Sequence, residues 1–493
     1  MLLLGIDLGT SSIKVSVVDA ISRRRIASAQ YPESEAEILS ARPGWAEQRP
    51  ETWWMHTKAA ILKAHSTGLY NPEEIGAIGI AYQMHGLVIV DRSHRPLRDA
   101  IIWCDSRAVD IGNRAMSELS SGGFLNSHLN SPGNFTASKL AWVKENEPQV
   151  YEKTFKFMLP GDYLSLRLTG EVNSNVSSIS EGILWNFSEG KLSDTLLKYY
   201  GIHTDLVPAI LPVFSRYGRV LPEVARELGL SSDVFVTFKA GDQPNNALSL
   251  NVLEPGEVAA TAGTSGVIYA VTDELVCDAA SRVNTFAHVN HTEEATRLGV
   301  LLCINGTGIQ NSWIKQMTAS DLDYSALNNS SASIAVGSEG IRVLPFGNGA
   351  ERMFNNRIVG GHLENLDFVR HGRAHLWRAA QEGIAFSFRY GLDILRENGL
   401  NPSVIKAGHA NLFLSPVFQQ SFAGVTNVPV ELYDNDGSVG AALGAGLGAG
   451  VFANREEAFS GLERQLTVEP AQVALYDELY ADWKNCLERK LSN

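Results

Sequence analysis

The sequence predicts an α/β protein made of two related domains. The chain has 493 residues, which is more than one hydrophobic core usually supports. Strand-like and helix-like patterns alternate through both halves, as expected for layered α/β domains. A strand–turn–strand pattern also occurs twice, as IDLGTSSIKVSVVD at residues 6–19 and as ATAGTSGVIYAVTD at residues 260–273. Because the two copies lie half a chain apart, we expect domains at residues 1–247 and 248–493.

The elements of the first half are predicted from apolar runs and helix-capping signals. Three β-branched runs predict a meander of strands at Leu2–Ile6, Ile13–Val18 and Ile26–Tyr31. The rest of this half predicts a helix from Thr52 to Ala64, a strand Ile75–Tyr82 with a return strand Leu87–Asp91, a helix beginning near Cys104–Arg107, a helix Phe135–Asn146, a strand Phe155–Leu159, a helix from Gly161 to Gly170, a strand Val234–Ala240 and a helix Pro244–Leu250. The Ser/Asn-rich segment Val172–Ser180 predicts a loop.

The second half repeats the alternation of strands and helices. Its predicted elements are a hairpin within residues 260–273, a strand Gly299–Asn305, a helix Asn305–Met317, a strand Ile341–Pro345 ending in the loop Gly347–Gly349, a long helix His375–Glu397, strands Val404–Ala407 and Val428–Leu432, a helix that begins at Asp436–Ser438 and a final helix at residues 472–491. The Ala/Gly-rich stretch Ser438–Ala453 is too short and too weakly apolar to span a bilayer. It therefore predicts a tightly packed, buried helix.

Composition narrows the class of partner. The net charge is −13 and the isoelectric point is near 5.5, which argues against nucleic acid or an anionic membrane as the main partner. The four cysteines are scattered without a CxxC pair, so neither a zinc site nor a disulfide framework is indicated. The chain enters a strand pattern without a basic leader region, so we expect no signal peptide and a cytoplasmic location.

The first hairpin carries the residue types of a phosphate site. Asp7 stands where a buried strand ends, and Gly9-Thr10-Ser11-Ser12 follows as a turn with free N–H and hydroxyl donors. A carboxylate beside such a row of donors suits a divalent cation and a polyphosphate. An ordinary hairpin whose aspartate caps the turn is an equal alternative. The second copy repeats Gly263-Thr264-Ser265 but has Thr261 in place of Asp7. Two loops could therefore bind a triphosphate, and only the first would supply the carboxylate.

Asp242 is the second carboxylate of interest. It follows an apolar strand and precedes a helix, which is where open α/β sheets place ligands. Helix capping is the alternative. With Asp242 as a base and Asp7 as a metal anchor, the chemistry is phosphoryl transfer, which needs positioning, charge neutralisation and a proton acceptor. The residues Gly9-Thr10-Ser11-Ser12 lack the Walker A pattern, so a P-loop enzyme is excluded on motif grounds.

Taken together, these motifs resemble the FGGY carbohydrate kinases over nearly the whole chain. The matching segments are Gly5–Ser11, Gly241-Asp242, Gly263–Gly266, Phe135–Trp142, Leu159–Leu164 and Leu168–Glu171. The resemblance implies an actin/hexokinase/Hsp70-like ATPase (ribonuclease H-like) fold with an interdomain cleft. It also implies ATP and Mg²⁺ as cofactors, Asp242 as the catalytic base and Asp7 as the metal anchor.

Further site residues follow from the same resemblance. The sugar pocket would be formed by Met84, His85, Trp103, Asp105, Asp242 and Gln243. The nucleotide would be held by Gly9, Thr10, Ser11, Ser12, Gly263, Thr264, Ser265, Gly408, His409, Ala410 and Asn411. A structural ion pair between Asp105 and Arg107 is an equal alternative to a sugar contact.

The segment Gln83–Gly86 is most similar to the xylulokinase branch of the family, which implies a ketopentose substrate, D-xylulose first. Two departures leave the details open. Gln243 stands where Asn is frequent, and Lys406–Ala410 replaces a Gly-Gly-Gly-Ala run, with His409 unusual there. Ribulose, fuculose, glycerol and gluconate kinases remain alternatives, as do a protein-binding actin- or Hsp70-like ATPase and a weakly catalytic sugar sensor. A homodimer also stays open.

Overall fold

The computed structural model describes residues 1–492. The first half contains β1 (Leu2–Leu8), β2 (Ile13–Asp19), β3 (Arg25–Tyr31), β4 (Glu47–Gln48), β5 (Ile75–Tyr82), β6 (Val88–Val90), β7 (Ala100–Ile101), β8 (Lys156–Met158), β9 (Asn173–Asn175), β10 (Trp185–Asn186), β11 (Lys191–Leu192), β12 (Ala209–Leu211), β13 (Phe214–Arg219) and β14 (Phe235–Gly241). Its helices are α1 (Pro50–His65), α2 (Val109–Leu119), α3 (Phe124–His128), α4 (Thr136–Asn146), α5 (Pro148–Tyr151), α6 (Pro160–Thr169), α7 (Val176–Glu181), α8 (Asp194–Tyr200), α9 (Pro222–Leu228) and α10 (Asp242–Ser249).

The second half contains the remaining elements. Its strands are β15 (Glu257–Ala262), β16 (Gly266–Thr272), β17 (Asn284–Ala287), β18 (Leu298–Ile304), β19 (Arg342–Glu351), β20 (Arg357–Glu364), β21 (Val404–Gly408), β22 (Val430–Tyr433) and β23 (Arg464–Val468). Its helices are α11 (Gly308–Thr318), α12 (Tyr324–Ala332), α13 (Arg373–Glu397), α14 (Pro416–Thr426), α15 (Gly437–Gly448), α16 (Arg455–Ala458) and α17 (Val473–Leu491). Short 3-10 turns lie at Pro72–Glu74, Ser120–Gly122, Thr204–Leu206, Ser338–Gly340, Arg352–Phe354 and Asn411–Leu414.

Two large sheets share one topology. The first has the order β13-β14-β5-β1-β2-β3, with β1–β3 as an antiparallel meander and β1, β5 and β14 parallel. The second has the order β17-β18-β16-β15-β21-β22-β23, in which β18, β16 and β15 are antiparallel and β15, β21 and β22 are parallel. The hairpins β1–β2 and β15–β16 occupy equivalent places in the two sheets. The internal repeat predicted from the sequence is therefore confirmed.

The Ala/Gly-rich helix α15 is buried, as predicted, but it packs against the first sheet rather than the second. A Cβ atom on Gly5 of β1 would lie 1.7 Å from the carbonyl oxygen of Ser438, and one on Gly79 of β5 would lie 1.9 Å from that of Ala441. Glycine in both strands is thus required for the backbone of α15 to approach the sheet. A helix from the second half completes the layer behind the first sheet.

Three local predictions were wrong. The segment Val172–Ser180 is β9 followed by α7, because Asn175 caps α7 by accepting the Ser178 N–H at 3.0 Å. The return strand, β6, pairs with β8 instead of β5. The glycines at 347–349 lie within strand β19, whose register shifts between Phe346 and Ala350 as at a bulge.

Two further observations concern the chain as a whole. Within residues 1–492, no helix is both long enough and apolar enough to cross a membrane. All four cysteines are free thiols, and only Cys486 is fully buried.

Candidate active site

Asp7 and Asp242 meet at one edge of the first sheet. In the strand register, Asp7 of β1 pairs with Ala81 of β5, and Ala81 pairs with Ala240, two residues before Asp242. The three strands are parallel, so their carboxyl ends open at the same edge, where α/β sheets bind ligands. The residues Gln83 to His85 follow β5 between the two carboxylates. The sequence predicts that these groups act together, and the fold brings them to the same edge.

Both carboxyl groups bind a proton more tightly than an exposed aspartate does. Burial raises the pKa of Asp7 to about 6, with the charge of Asp436 adding to the shift and Lys14 opposing it. Burial also raises the pKa of Asp242 to about 7, and the charge of Asp7 adds to that shift. A carboxylate with a pKa near neutrality is suited to accept a proton from an alcohol at physiological pH. The raised pKa values of the carboxyl groups at this edge are therefore those expected of a general-base site.

Asp436, the N-cap of α15, was not identified as a site residue from the sequence. Its side chain accepts from the Ser438 N–H at 2.9 Å and lies 3.8 Å from the Lys14 ammonium group. The next residue, Gly437, approaches Asp7 so closely that a Cβ atom there would lie 2.6 Å from Asp7 Oδ2. The start of α15 therefore supplies part of the site from the other half of the chain.

Stability of the ligand-free protein should depend on pH through Asp242. Its pKa is raised from 3.8 to about 7 in the folded state, so the folded protein binds the proton more tightly than the unfolded chain does. Folding stability from this group is therefore present below about pH 4 and is lost as the pH rises to about 7. We expect Asp242→Asn to raise the melting temperature by several degrees at pH 8 and to leave it nearly unchanged at pH 4, as measured by calorimetry. A difference that stays constant across this range would contradict the raised pKa.

His85 is held in a strained conformation beside the two carboxylates. Its φ angle is 60°, which is unusual for a residue other than glycine. The buried Lys139 ammonium donates to the His85 carbonyl oxygen at 2.7 Å, and Glu181 Oε1 accepts the His85 N–H at 3.4 Å. Neither Lys139 nor Glu181 was singled out as a site residue from the sequence, because each acts through the backbone of a residue distant in the chain.

The hydrogen bonds of His85 define what its ring can do. Burial, together with the charges of Lys139 and Arg352, lowers the pKa of His85 to about 3, so the ring is neutral. Its Nδ1 lies 3.3 Å from the carbonyl oxygen of Glu181, which can only accept a hydrogen bond. We therefore assign the proton to Nδ1 and an acceptor lone pair to Nε2. The ring packs against Phe135 and against Phe286 of the second half, with centroid distances of 4.8 and 5.3 Å.

Met84 and Gln243 lie at the same edge. The Met84 side chain packs on Gly241, where a Cβ atom would lie 2.5 Å from Met84 Cγ. Gln243 follows Asp242, and its side-chain oxygen is buried without a hydrogen-bond partner among the described residues. Such an orphaned acceptor is expected where a ligand hydroxyl binds. Sugar contacts by Met84, His85 and Gln243 remain predictions, and the geometry is suited to them.

Trp103 and Asp105 differ in their surroundings. Trp103 is exposed, and its Nε1 donates to Thr10 Oγ1 at 2.9 Å, so it links the predicted sugar pocket to the first phosphate loop. Asp105 is fully buried, and its carboxylate accepts from the Ala46 N–H at 2.6 Å and pairs with Arg107 at 2.7 Å. The structure thus shows the ion pair that the sequence left as an alternative. A sugar contact by Asp105 stays a prediction.

The first Gly-Thr-Ser loop is a tight turn closed by a hydrogen bond from the Gly9 N–H to the Ser12 carbonyl oxygen at 3.1 Å. The Thr10 hydroxyl donates to Gln83 Oε1 at 3.2 Å, so its proton is directed toward the sugar side of the edge. Ser11 is exposed and Ser12 partly exposed, which leaves their hydroxyls accessible. These are the residues of the first loop that are free to meet a phosphate.

The second loop borders a cavity of nucleotide size. Its volume is about 470 Å³, and it is lined by Ala262, Gly263, Thr264, Gly308, Ile309, Asn311, Ser312, Tyr324, Asn328, Gln381, Asn411, Leu412, Leu414 and Ser415. The Gly263 carbonyl oxygen accepts the Gly308 N–H at 2.9 Å and the Thr307 hydroxyl at 3.0 Å, which fixes the loop against the start of α11. Ser265 is exposed beside Thr264 at the tip of the hairpin. Of the predicted nucleotide residues, Gly263, Thr264 and Asn411 line this cavity.

The segment Gly408-His409-Ala410 lies at the end of β21 and is not part of the lining of that cavity. The His409 N–H donates to the Tyr433 carbonyl oxygen at 2.7 Å, and its ring lies 3.2 Å from Gln465 Oε1. The side chain of His409 is thus directed toward β23. A nucleotide contact by these three residues stays a prediction. Polar groups of Tyr324, Asn328 and Gln381 also line the cavity, and no sequence motif indicates them.

Comparison with known proteins identifies the family. The chain matches the FGGY family of carbohydrate kinases, with the N-terminal domain at residues 2–249 and the C-terminal domain at residues 258–451. The chain belongs to the FGGY family of carbohydrate kinases. It is therefore an ATP-dependent carbohydrate kinase with the actin/hexokinase-like ATPase fold, as the resemblance implied. A protein-binding ATPase of the actin or Hsp70 type is set aside by this family membership.

Relatives of this FGGY kinase include named sugar kinases. The chain is 30% identical to a xylulose kinase of Escherichia coli over 95% of this chain and 94% of that one. The crystal structure of xylulose kinase from Rhodospirillum rubrum aligns with a TM-score of 0.88 at 25% identity, covering 100% of both chains. A gluconate kinase from Lactobacillus acidophilus aligns with the same TM-score of 0.88, covering 100% of this chain and 98% of that one, but at 20% identity it shows the fold alone.

Proposed function

We propose that this kinase transfers the γ-phosphoryl group of ATP to the terminal hydroxyl of a ketopentose, D-xylulose, with Asp242 as the catalytic base. The observation that carries the proposal is the placement of Asp242 and Asp7 on either side of Gln83–His85 at one sheet edge. The xylulose kinases among its relatives support the choice of sugar. A cytoplasmic location belongs to the same proposal, since ATP is the phosphoryl donor and the four thiols are free.

In the proposed reaction, the terminal hydroxyl of the sugar gives its proton to the Asp242 carboxylate. The hydroxyl oxygen forms a bond to the γ-phosphorus as the bond from that phosphorus to the β-γ bridging oxygen breaks, which releases ADP. His85 Nε2 and Gln243 Oε1 accept hydrogen bonds from other sugar hydroxyls and orient the acceptor. The Gly-Thr-Ser loops of both halves face the phosphates, which restricts water at the reacting centre.

Asp7 fits the role of a Mg²⁺ anchor. Its carboxylate has a neighbouring carboxylate, Asp436, that raises its pKa, and a divalent cation would relieve that repulsion. Within residues 1–492, no group of three or more acidic, His or Cys side chains converges on one point, so bound water and phosphate oxygens would complete the shell. When bound, Mg²⁺ would neutralise charge on the phosphates. Asp7 and the start of α15 would hold it.

A panel of acceptors tests the proposed substrate. Purified enzyme is assayed for ADP formation with D-xylulose, ribulose, fuculose, glycerol and gluconate at equal concentrations, with the acceptor-free rate as a baseline. We expect the highest kcat/KM for D-xylulose, by roughly tenfold or more over each competitor, since each lost hydrogen bond in a polar site carries such a factor. A higher kcat/KM for any other acceptor would overturn D-xylulose as the substrate and leave the kinase assignment in place.

A further inference from the structure

Arg352 presents a cation with uncompensated charge at the junction of the two halves. It begins the short turn between β19 and β20 in the second half and is only partly exposed. Its Nη1 donates to Asn284 Oδ1 at 2.7 Å, and its guanidinium carbon lies 5.7 Å from the centroid of the Phe135 ring. Within residues 1–492, no carboxylate pairs with it, and burial lowers its pKa. A guanidinium in this state has unused N–H donors and favours an oxygen acceptor.

The guanidinium faces the proposed sugar pocket. The Phe135 ring that it covers packs edge-on against His85, with a centroid distance of 4.8 Å. The Arg352 charge adds to the effect of burial in lowering the pKa of His85, and it opposes the burial that raises the pKa of Cys303. The charge of Asp242 acts on the same Cys303 thiol in the opposite sense. Arg352 of the second half and Asp242 of the first half therefore both lie near the Cys303 thiol, with Asp242 at the end where the reacting hydroxyl would bind.

The chemistry of the ligand follows from the donors. A guanidinium can only donate hydrogen bonds, and a carbonyl oxygen can only accept them. In a ketopentose, the terminal hydroxyl farthest from the ketone, on C5, is free only in the open-chain form, because furanose ring closure consumes it. The reacting form therefore carries a free ketone. A polyol of the same length has a hydroxyl at that carbon instead of the ketone. A hydroxyl is both a donor and an acceptor of hydrogen bonds, so it gains less binding energy from a guanidinium that can only donate.

We propose that Arg352 is a specificity-determining residue that donates to the ketone oxygen of the acceptor and so selects ketoses over polyols. This inference rests on the proposed function, since it assigns a partner group on the ketopentose. It also gives the second half of the chain a direct contact with a sugar that is otherwise bound by the first half.

Binding measurements with a matched pair of ligands test this role. D-xylulose and xylitol differ only in the ketone, and calorimetric titration with each, in the presence of a non-hydrolysable ATP analogue, reports affinity without turnover. We expect Arg352→Met to raise the Kd for D-xylulose by about 10- to 100-fold and the Kd for xylitol by less than about threefold, since a hydrogen bond to a charged group carries such a factor. Arg352→Lys, which keeps the charge but loses the planar fork, should lie between these limits for D-xylulose.

The matched control is Arg357→Met, on the same hairpin but exposed. We expect it to leave both dissociation constants unchanged. Unchanged D-xylulose affinity in Arg352→Met, or an equal loss for both ligands, would overturn the inference while the wild-type enzyme still binds D-xylulose. Failure of the wild-type enzyme to bind D-xylulose would instead overturn the proposed function, and the inference with it.

Discussion

Replacing Asp242 with asparagine is expected to lower kcat with D-xylulose by roughly 10²- to 10⁴-fold, the usual contribution of a general base. The asparagine has the same shape and keeps the polar contacts with Gln243, but it cannot take the proton from the sugar hydroxyl. The Kd for the sugar should change by less than about threefold, because the lost function is proton transfer rather than binding. Steady-state kinetics and calorimetric titration measure the two quantities separately.

Asp233→Asn serves as the matched control for this variant. Asp233 lies just before the opposite end of the same strand, β14, where it forms an exposed ion pair with Arg219 at 2.8 Å. Exposed pairs contribute little, so this change should leave kcat within about twofold of the wild-type value. A kcat for Asp242→Asn that is also within this range would remove Asp242 from the role of base.

Replacing Asp7 with asparagine is expected to have the second-largest effect on turnover. The Mg²⁺ concentration for half-maximal rate should rise by roughly 10- to 100-fold, because a charged ligand to the cation is lost. The acidic limb of the kcat/KM profile should also move to lower pH. The sign follows from the charge of Asp7, which raises the pKa of Asp242, so its removal lets Asp242 ionise at lower pH.

The control for Asp7 is another aspartate of the same hairpin. Asp19 pairs with Leu2 at the opposite edge of the sheet, and its side chain caps a turn by accepting the Ser22 N–H at 2.7 Å. Asp19→Asn should leave both the Mg²⁺ dependence and the acidic limb in place. An acidic limb that does not move in Asp7→Asn would contradict the coupling between the two carboxylates.

Features encoded by local pattern could be predicted from the sequence. The apolar strand ahead of Asp7, the Gly-Thr-Ser turn and its copy at Gly263 each depend on neighbouring residues, and the repeat revealed the two-domain organisation. The position of Asp242 at a strand end also placed it at the ligand edge, because parallel strands end on the same side.

Features that depend on packing between distant segments could not be predicted. Asp436 influences Asp7 only because α15 crosses from the second half onto the first sheet, and no local pattern records that contact. Lys139 and Glu181 act through the backbone of His85, and Glu181 ends a helix whose Ser/Asn-rich sequence is typical of a loop. Asn175 is the signal that could have identified α7. Its side chain accepts from the N–H of Ser178, three residues later, as the N-cap of a helix does.

The position of the phosphate on the product is the most direct test of the proposed reaction. In that reaction, the terminal hydroxyl of an open-chain ketopentose lies between Asp242 and the γ-phosphate of ATP. Phosphorus and carbon NMR of a reaction with D-xylulose should therefore show one phosphate monoester on the terminal carbon farthest from the ketone, formed in equal amount to ADP. A phosphate on any other carbon, or ADP formed together with inorganic phosphate and no sugar ester, would contradict it.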